Sequence, residues 1–211
     1  MALTLDDIVT LLATRGEAHY GNEAVSQLQH ALQCAHLAEN AGETAEVVVA
    51  ALLHDLGHLL AAEQAEQAEQ AEWTARAEPT PDQDDLHQFM ALPFLRGVFP
   101  DSVLAPIRLH VDAKRYLCLI EAGYWTRLSP ASKASLEQQG GIFTPAQGDA
   151  FSRVPHSLSA VRLRRYDDLA KVPGETVPGL GHYRRLMETV VLQGGMCARP
   201  QAVETIKSRR V

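Results

Sequence analysis

The sequence has few cysteines and few aromatic residues. Its three cysteines, Cys34, Cys118 and Cys197, are odd in number, and none belongs to a CxxC pair. It therefore indicates neither a disulfide framework nor a cysteine-based metal site, and a reducing cytoplasm is the expected compartment. Aromatic residues make up 6% of the chain and hydrophobic residues 46%. Because Ala and Leu must then form most of the core, the composition favours helices.

The chain also lacks an excess of positive charge and long apolar runs. Its formal net charge is −7, which argues against a broad nucleic-acid interface but is compatible with a small anionic ligand. The longest uninterrupted apolar run, residues 47–53, is too short to span a bilayer. The first residues, MALTLDDIVTLL, have no basic leader and do not predict a signal peptide. We expect neither nucleic acid nor a membrane as a partner.

The spacing of apolar residues predicts an all-α fold. A first helix should begin after Thr4 and end near Gly16, and no segment has the strict alternation of a strand. Further helices are predicted at residues 23–41, 44–60, 101–120, 129–139 and 181–192, with a loop-rich stretch at 140–178.

A low-complexity segment interrupts this pattern at about residues 61–85. Glu-Gln-Ala repeats there without a large apolar residue, and a Pro-rich acidic stretch follows. We interpret it as a solvated, partly helical insertion in a single domain that spans residues 1–211.

The most informative short motif is His54-Asp55-Leu56-Gly57-His58, which lies in the most apolar predicted helix. An unpaired charge or imidazole buried there would cost several kcal/mol, whereas metal coordination or a hydrogen-bonded network would compensate for it. A carboxylate can bridge two metal ions, which an imidazole cannot readily do. The motif therefore favours Asp55 as a bridging ligand and His54 as a terminal ligand.

The chain resembles the HD-domain superfamily in the order and separation of its histidines and aspartates. The matching residues are His30, His54-Asp55, His87, His110 and Asp167. The resemblance implies an all-helical HD-domain bundle, and four histidines with two aspartates suit iron or manganese. Single members also have ordinary interpretations, such as a satisfied histidine on an amphipathic helix. The neighbouring Asp168 is an alternative to Asp167, which we prefer because its aromatic-Asp order matches the family better.

Further motifs resemble one branch of this superfamily, the PhnZ-type mixed-valent diiron oxygenases that degrade organophosphonates and are distant relatives of myo-inositol oxygenase. The resemblance extends from about Tyr20 to Leu192, apart from the insertion. The motifs are Tyr20-Gly21-Asn22-Glu23, Gln27-Leu28-Gln29-His30, residues 110–117, residues 128–132, Gln139-Gly140-Gly141, Lys171-Val172-Pro173-Gly174 and Gly181-His182-Tyr183-Arg184.

This resemblance implies an O2-dependent cleavage of the carbon–phosphorus bond. The substrate would be a 1-hydroxy-2-aminoethylphosphonate or its trimethylammonio analogue, and the products phosphate with glycine or glycine betaine. Two iron ions in an Fe(II)/Fe(III) state would be required. The first would be held by His30, His54, Asp55 and Asp167, and the second by Asp55, His87 and His110.

Substrate contacts follow from the same resemblance and from helical spacing. Lys114 lies one helical turn after His110, and His58 has the same relation to His54. With Ser132 and Arg164 they are the candidates for binding the phosphonate, although Arg164 could be a surface arginine. By resemblance, Glu23 would face the cationic nitrogen, unless it only stabilises a helix start. Tyr20 would belong to a mobile gating element that occupies the iron before substrate enters.

Two other functions remain compatible with an HD motif. One is a metal-dependent phosphohydrolase acting on a nucleotide or small phosphate ester, and the other is a ligand-sensing module without catalysis. The complete set of candidate ligands makes the sensing module the weakest of the three. The sequence determines neither the substituents on the substrate nitrogen nor the oligomeric state. It gives no signal for a functional role of Cys34, which we assign to packing or the surface.

Overall fold

The computed structural model describes residues 3–20, 23–71 and 86–192. Within these residues the fold is all-α, as predicted, and its only β feature is an isolated antiparallel bridge between His19 and Ser26. The helices are α1 (Leu5–Arg15), α2 (Gln27–Asn40), α3 (Ala45–Leu53), α4 (Leu56–Ala71), α5 (His87–Met90), α6 (Leu92–Leu95), α7 (Asp101–Ile120), α8 (Tyr124–Arg127), α9 (Pro130–Gln138), α10 (Pro145–Ser152), α11 (Ser157–Leu169) and α12 (Leu180–Val190).

Local capping signals explain where the first two helices begin. Thr4 caps α1 in a capping box with Asp7, and Gly16 ends that helix, as predicted. The prediction for α2 began too early. Ser26 and Gln29 form the capping box that starts this helix at Gln27, so Glu23 lies in the segment that precedes it.

The predicted helix at residues 44–60 is wrong in one respect, because it breaks at the His-Asp pair. α3 ends at Leu53, α4 begins at Leu56, and His54 and Asp55 form a turn between them. The His58 backbone N–H donates to the Asp55 carbonyl, three residues back, at 3.0 Å. This three-residue hydrogen bond is tighter than that of the regular α-helix predicted over residues 44–60.

The core is centred on α3, in which all residues from Val47 to Leu53 are buried. α3 packs against α2, α7, α11 and α12, and α7 packs in turn against α11. Burial of an aliphatic side chain such as Leu52 or Leu53 contributes about 1.5–3 kcal/mol, so this apolar helix is a major source of stability. It also forms a rigid support for the turn at its carboxyl end.

The loop-rich stretch predicted at residues 140–178 contains two helices, α10 and α11, so that prediction is wrong. α11, with the sequence SLSAVRLRRYDDL, was missed because its leucines Leu158 and Leu169 are exposed while polar residues share its buried face. Its buried face combines Ala160 and Leu163 with Arg164 and Asp167, and a search for apolar periodicity treats the latter two as surface residues.

The first part of the insertion continues α4 to Ala71, whereas residues 72–85 lie outside the described residues. The division into one domain over residues 1–211 stays a prediction. The stretch Ala45–Glu63 is apolar and long enough to cross a membrane, yet most of it is buried inside the protein, as in an ordinary core helix.

Candidate metal centre

Three histidines are oriented by hydrogen bonds to backbone carbonyls. The Nδ1 atoms lie 2.8 Å from the Ala170 carbonyl oxygen for His30, 2.9 Å from that of Ala51 for His54, and 2.7 Å from that of Ile107 for His110. A carbonyl can only accept, so each Nδ1 carries a proton, and Nε2 is the ring nitrogen that can bind a metal. This is the usual arrangement of metal-binding histidines.

Asp55 lies between two pairs of histidines. Its Oδ2 is 3.3 Å from Nε2 of His54 and 3.7 Å from Nε2 of His30. Its Oδ1 is 3.4 Å from Nε2 of His87 and 3.7 Å from Nε2 of His110. Each carboxylate oxygen therefore faces a different pair, which is the geometry that a bridging ligand requires.

Of the two adjacent aspartates on α11, Asp167 points into this cluster. Its Oδ1 lies 3.4 Å from Nε2 of His30, and its Oδ2 lies 3.9 Å from Nε2 of His54. Asp168 instead accepts hydrogen bonds from Tyr124 and Arg164. The geometry thus favours Asp167 over Asp168 as the candidate ligand.

The donor set fits a pair of cations. All six candidate ligands are buried, and Asp55 Oδ2 and Asp167 Oδ1 have no hydrogen-bond partner within the described residues. Buried carboxylate oxygens are costly without a partner. The Nε2 atoms of His87 and His110 lie 3.0 Å apart, a separation that a proton or a shared metal ion would make favourable. Bound cations would offset the cost of burying the two carboxylate oxygens and the repulsion between the two facing ring nitrogens.

The ionisation of these groups is consistent with cation binding. Burial raises the pKa of Asp55, but the positive field of His54, His58 and His87 outweighs it and holds the pKa well below its usual range. Asp167 behaves similarly, because the Arg164 charge outweighs burial and lowers its pKa. Burial together with neighbouring histidines keeps the pKa of His110 low. Both carboxylates are therefore negative at neutral pH.

A cavity of about 310 Å³ opens directly onto this cluster. The residues predicted to bind substrate or to gate the site all line it, next to Asp55, His87, His110 and Asp167. They are Tyr20, Glu23, His58, Lys114, Ser132 and Arg164. The fold thus brings residues from α7, α9, α11 and the segment before α2 to one cavity.

One end of the cavity is cationic and rich in hydroxyl groups. Lys114 Nζ donates to Ser135 Oγ at 2.7 Å, and Arg164 Nη2 donates to Ser132 Oγ at 3.3 Å. Burial and the nearby Arg164 charge lower the pKa of Lys114 to about 7. His58 stacks on His87 with ring centroids 4.2 Å apart. This end is suited to an anion with several oxygen atoms.

Tyr20 and Glu23 also line the cavity. The Tyr20 ring stacks on His30 at 3.9 Å, and burial together with the negative charge of Asp55 raises the pKa of its hydroxyl well above the usual value. Glu23 Oε1 accepts from Lys171 Nζ at 3.0 Å, so the predicted partner of a substrate cation already pairs with a cation of the protein.

Comparison with known proteins identifies the family. Residues 28–118 match the HD domain. The chain is 42% identical to a hydroxymethylphosphonate dioxygenase of Gimesia maris, covering 85% of this chain and 84% of that protein. It is 31% identical to a glycine-betaine-forming [1-hydroxy-2-(trimethylamino)ethyl]phosphonate dioxygenase of Leisingera caerulea, covering 84% and 85%.

The chain belongs to the HD-domain family of phosphonate dioxygenases. It is also 30% identical to an uncharacterized protein of Acanthamoeba polyphaga mimivirus, covering 87% of this chain and 80% of that protein. The recognition made from the sequence motifs is confirmed. Family membership and the buried His/Asp clusters together indicate a site that uses a metal and molecular oxygen.

Sequence reasoning missed several residues of this dioxygenase cavity, among them Gln27, Ser135 and Lys171. Ser135 lies one turn after Ser132 on α9, and Lys171 belongs to a motif that we noted without giving it a role. Cys34 was assigned to packing or the surface. Its buried Sγ lies 3.6 Å from His30 Nε2, at the edge of the candidate ligand set.

Proposed function

We propose that this protein oxidatively cleaves the carbon–phosphorus bond of a 1-hydroxyphosphonate with molecular oxygen. The observation that carries the proposal is the position of Asp55. Its two oxygens face separate histidine pairs, and a cavity with a cationic, hydroxyl-rich end adjoins them. The names of two relatives, each aligned over more than four fifths of this chain, support the reaction class.

The proposed cofactor is a pair of iron ions in an Fe(II)/Fe(III) state. His30, His54, Asp55 and Asp167 would hold the first ion, and Asp55, His87 and His110 the second. When bound, the pair supplies a Lewis acid for the substrate oxygens and the redox chemistry that activates O2. The contribution of the chain is to fix the ligand nitrogens through backbone carbonyls and to keep both carboxylates ionised.

The phosphonate would occupy the cationic end of the cavity. Lys114 and Arg164 would neutralise its charge, while Ser132 and His58 would donate hydrogen bonds to its oxygens. This placement directs C1 and its hydroxyl towards the His/Asp cluster, because the metal ligands form the adjoining wall. Tyr20, stacked on His30 with its hydroxyl near Asp55, would have to move aside as substrate enters.

The overall reaction balances without a reductant. Hydroxymethylphosphonate and one O2 contain together the atoms of formate and phosphate, and 1-hydroxy-2-aminoethylphosphonate and one O2 those of glycine and phosphate. The substrate carbon and the broken carbon–phosphorus bond therefore supply all the electrons that reduce O2. The cavity needs no site for an external electron donor.

The proposal does not specify which substituent the substrate carries on C1. The sequence motifs favour an aminomethyl or trimethylammoniomethyl group, whereas the relative with 42% identity is named for hydroxymethylphosphonate, which has no nitrogen. The Glu23–Lys171 ion pair means that a substrate ammonium would have to compete with Lys171 for the carboxylate. All three compounds are therefore proper test substrates.

The two alternatives from the sequence are not favoured. Two of the three relatives are named as dioxygenases, so neither a phosphohydrolase nor a sensing module is the activity expected of this family. Loss of activity in ligand variants would not separate an oxygenase from a hydrolase, because both would use these residues. Only the oxygen requirement and the substrate can do so.

The deciding experiment measures phosphate release from the three hydroxyphosphonates by iron-loaded protein, in air and under anaerobic conditions. We expect phosphate together with formate, glycine or glycine betaine in air, and neither product without O2. Protein loaded with manganese or magnesium should be inactive. Cleavage of p-nitrophenyl phosphate with and without O2, while all hydroxyphosphonates stay intact, would contradict the proposal and establish a hydrolase.

A further inference from the structure

Asp168, the neighbour of a candidate metal ligand, belongs to a hydrogen-bonded ring outside the cavity lining. Arg164 Nη2 donates to its Oδ1, and the Tyr124 hydroxyl donates to its Oδ2. The same hydroxyl accepts from Arg164 Nε at 3.4 Å. Neither Asp168 nor Tyr124 lines the cavity, whereas Arg164 does. The ring therefore supports Arg164 from the side that faces away from the substrate.

The other contacts of Arg164 connect the two halves of the candidate site. Its Nη1 donates to Asp167 Oδ2 at 2.5 Å, and its Nη2 donates to Ser132 Oγ at 3.3 Å. The guanidinium thus lies between a candidate metal ligand and a candidate phosphonate-binding residue. Its orientation affects both, and the side chain is almost completely buried.

Asp168 decides how this guanidinium is shared between two carboxylates. An arginine fork prefers to bind one carboxylate through two parallel hydrogen bonds. Without the Asp168 charge, both Nη groups would be drawn to Asp167. Nη2 would then leave Ser132 and approach Asp167 Oδ1, the oxygen that has no hydrogen-bond partner among the described residues and lies 3.4 Å from His30 Nε2.

We propose that Asp168, held by Tyr124, is a positioning residue for Arg164. It keeps Nη2 at the phosphonate end of the cavity and leaves Asp167 Oδ1 available to a metal. This inference rests on the proposed function, in which Arg164 binds the phosphonate and Asp167 the first metal ion. Asp168 itself touches neither.

A double-mutant cycle tests whether Asp168 acts through Arg164. The variants are Asp168→Asn, Arg164→Ala and their combination, and calorimetry on iron-loaded protein gives the dissociation constant of methylphosphonate, which has no hydroxyl to react. Asp168→Asn should weaken binding about tenfold, the scale of one charge-assisted hydrogen bond. It should weaken binding no further once Arg164 is Ala, because its effect passes through that residue.

Activity and metal retention give two independent readouts. For Asp168→Asn the KM for the best hydroxyphosphonate should rise more than kcat falls, and iron should be lost at a lower chelator concentration than in wild type. Tyr124→Phe should change both in the same direction by less, and Asp168→Glu should restore them. Asp112→Asn is the matched control. It also removes a carboxylate that pairs with an arginine one turn away on the same helix. Asp112 does not line the cavity, so the substitution should leave every readout unchanged.

Two results would overturn the inference. One is a loss of methylphosphonate affinity in Asp168→Asn that is equally large in the Arg164→Ala background. The other is wild-type affinity and chelator sensitivity in Tyr124→Phe, which tests the same ring if Asp168→Asn does not fold. Failure of the wild-type protein to oxidise any hydroxyphosphonate would instead contradict the proposed function, and the binding cycle would still be interpretable.

Discussion

At the scale of single residues, Asp55 has three properties that no other side chain in the described site combines. It is buried, it is held ionised by the surrounding histidines, and its two oxygens face different histidine pairs. A carboxamide of the same size could not replace it fully, because an amide nitrogen is a donor and cannot bind a cation. The two proposed ions therefore depend on one residue.

Asp55→Ala should abolish turnover and most iron binding, because it removes a ligand from both proposed ions at once. The measurement is iron per chain on protein whose folding is verified by circular dichroism. Asp112→Asn serves as a folded control with full iron content. Two irons per chain in Asp55→Ala would refute the bridging assignment.

Lys114→Ala should weaken substrate binding while iron content stays at the wild-type level, since the ammonium faces the phosphonate end of the cavity. The expected cost is about 1.5–3 kcal/mol, the scale of a charge-assisted hydrogen bond. Calorimetric titration with methylphosphonate measures it. An unchanged dissociation constant would remove Lys114 from the binding site.

The contribution of Lys114 should also depend on pH. Burial lowers its pKa to about 7, so the side chain is mostly protonated below pH 7 and loses its charge as the pH rises above it. The ratio of methylphosphonate dissociation constants, Lys114→Met over wild type, should accordingly be largest below pH 7 and decrease above it. The variant corrects for the titration of the ligand itself. A ratio that is constant from pH 6 to 9 would contradict this role.

At the scale of elements, the turn between α3 and α4 directs the His-Asp pair, and α5 must lie very close to it. A Cβ atom placed on Gly57 would lie 2.1 Å from the His87 carbonyl oxygen. Only a residue without a side chain permits this approach, by which α4 and α5 bring His87 to Asp55.

Gly57→Ala should displace α5 and lower the affinity of the second ion, for which His87 is the proposed ligand. Overpacking against backbone should cost about 1–3 kcal/mol, more than the helix propensity of Ala returns. The free energy of unfolding and iron content measure the two effects. Gly181→Ala on α12 is the control, because nothing lies within 4 Å of its Cβ position and it should be neutral or slightly stabilising. Wild-type stability and full iron content in Gly57→Ala would show that α5 tolerates the shift.

At the scale of the whole molecule, the candidate ligands come from five places in the chain: α2, the turn after α3, α5, α7 and α11. Ions bound there would connect segments from residue 30 to residue 167. Binding to the native state alone stabilises it in proportion to the logarithm of metal concentration over Kd.

Removal of the metal should therefore lower the Tm. At a concentration of 100 times Kd each ion contributes about 2.7 kcal/mol, which corresponds to about 5–10 °C for a chain of this length. Differential scanning calorimetry with and without chelator measures the shift, and iron added back should reverse it. The Tm of Asp55→Ala should respond much less to chelator. An equal response in both proteins would place the metal elsewhere.

The sequence by itself determined the helical class and most of the helices. Composition favoured helices, and local spacing predicted α7 at its observed bounds, because apolar periodicity and capping are properties of neighbouring residues. The order of His30, His54-Asp55, His87, His110 and Asp167 also identified the family. The roles of these residues as ligands remain part of the proposal.

The tertiary structure alone decided which residues from distant parts of the chain contact one another. α11 escaped detection because its buried face carries Arg164 and Asp167, whose burial is favourable only because they pair with each other and with residues of other elements, such as Ser132 and His30. The pairing of Glu23 with Lys171 and the ring of Tyr124, Arg164 and Asp168 join residues up to 148 positions apart. Such contacts leave no periodic signal in the chain, since they depend on how the helices pack rather than on the preference of any local segment.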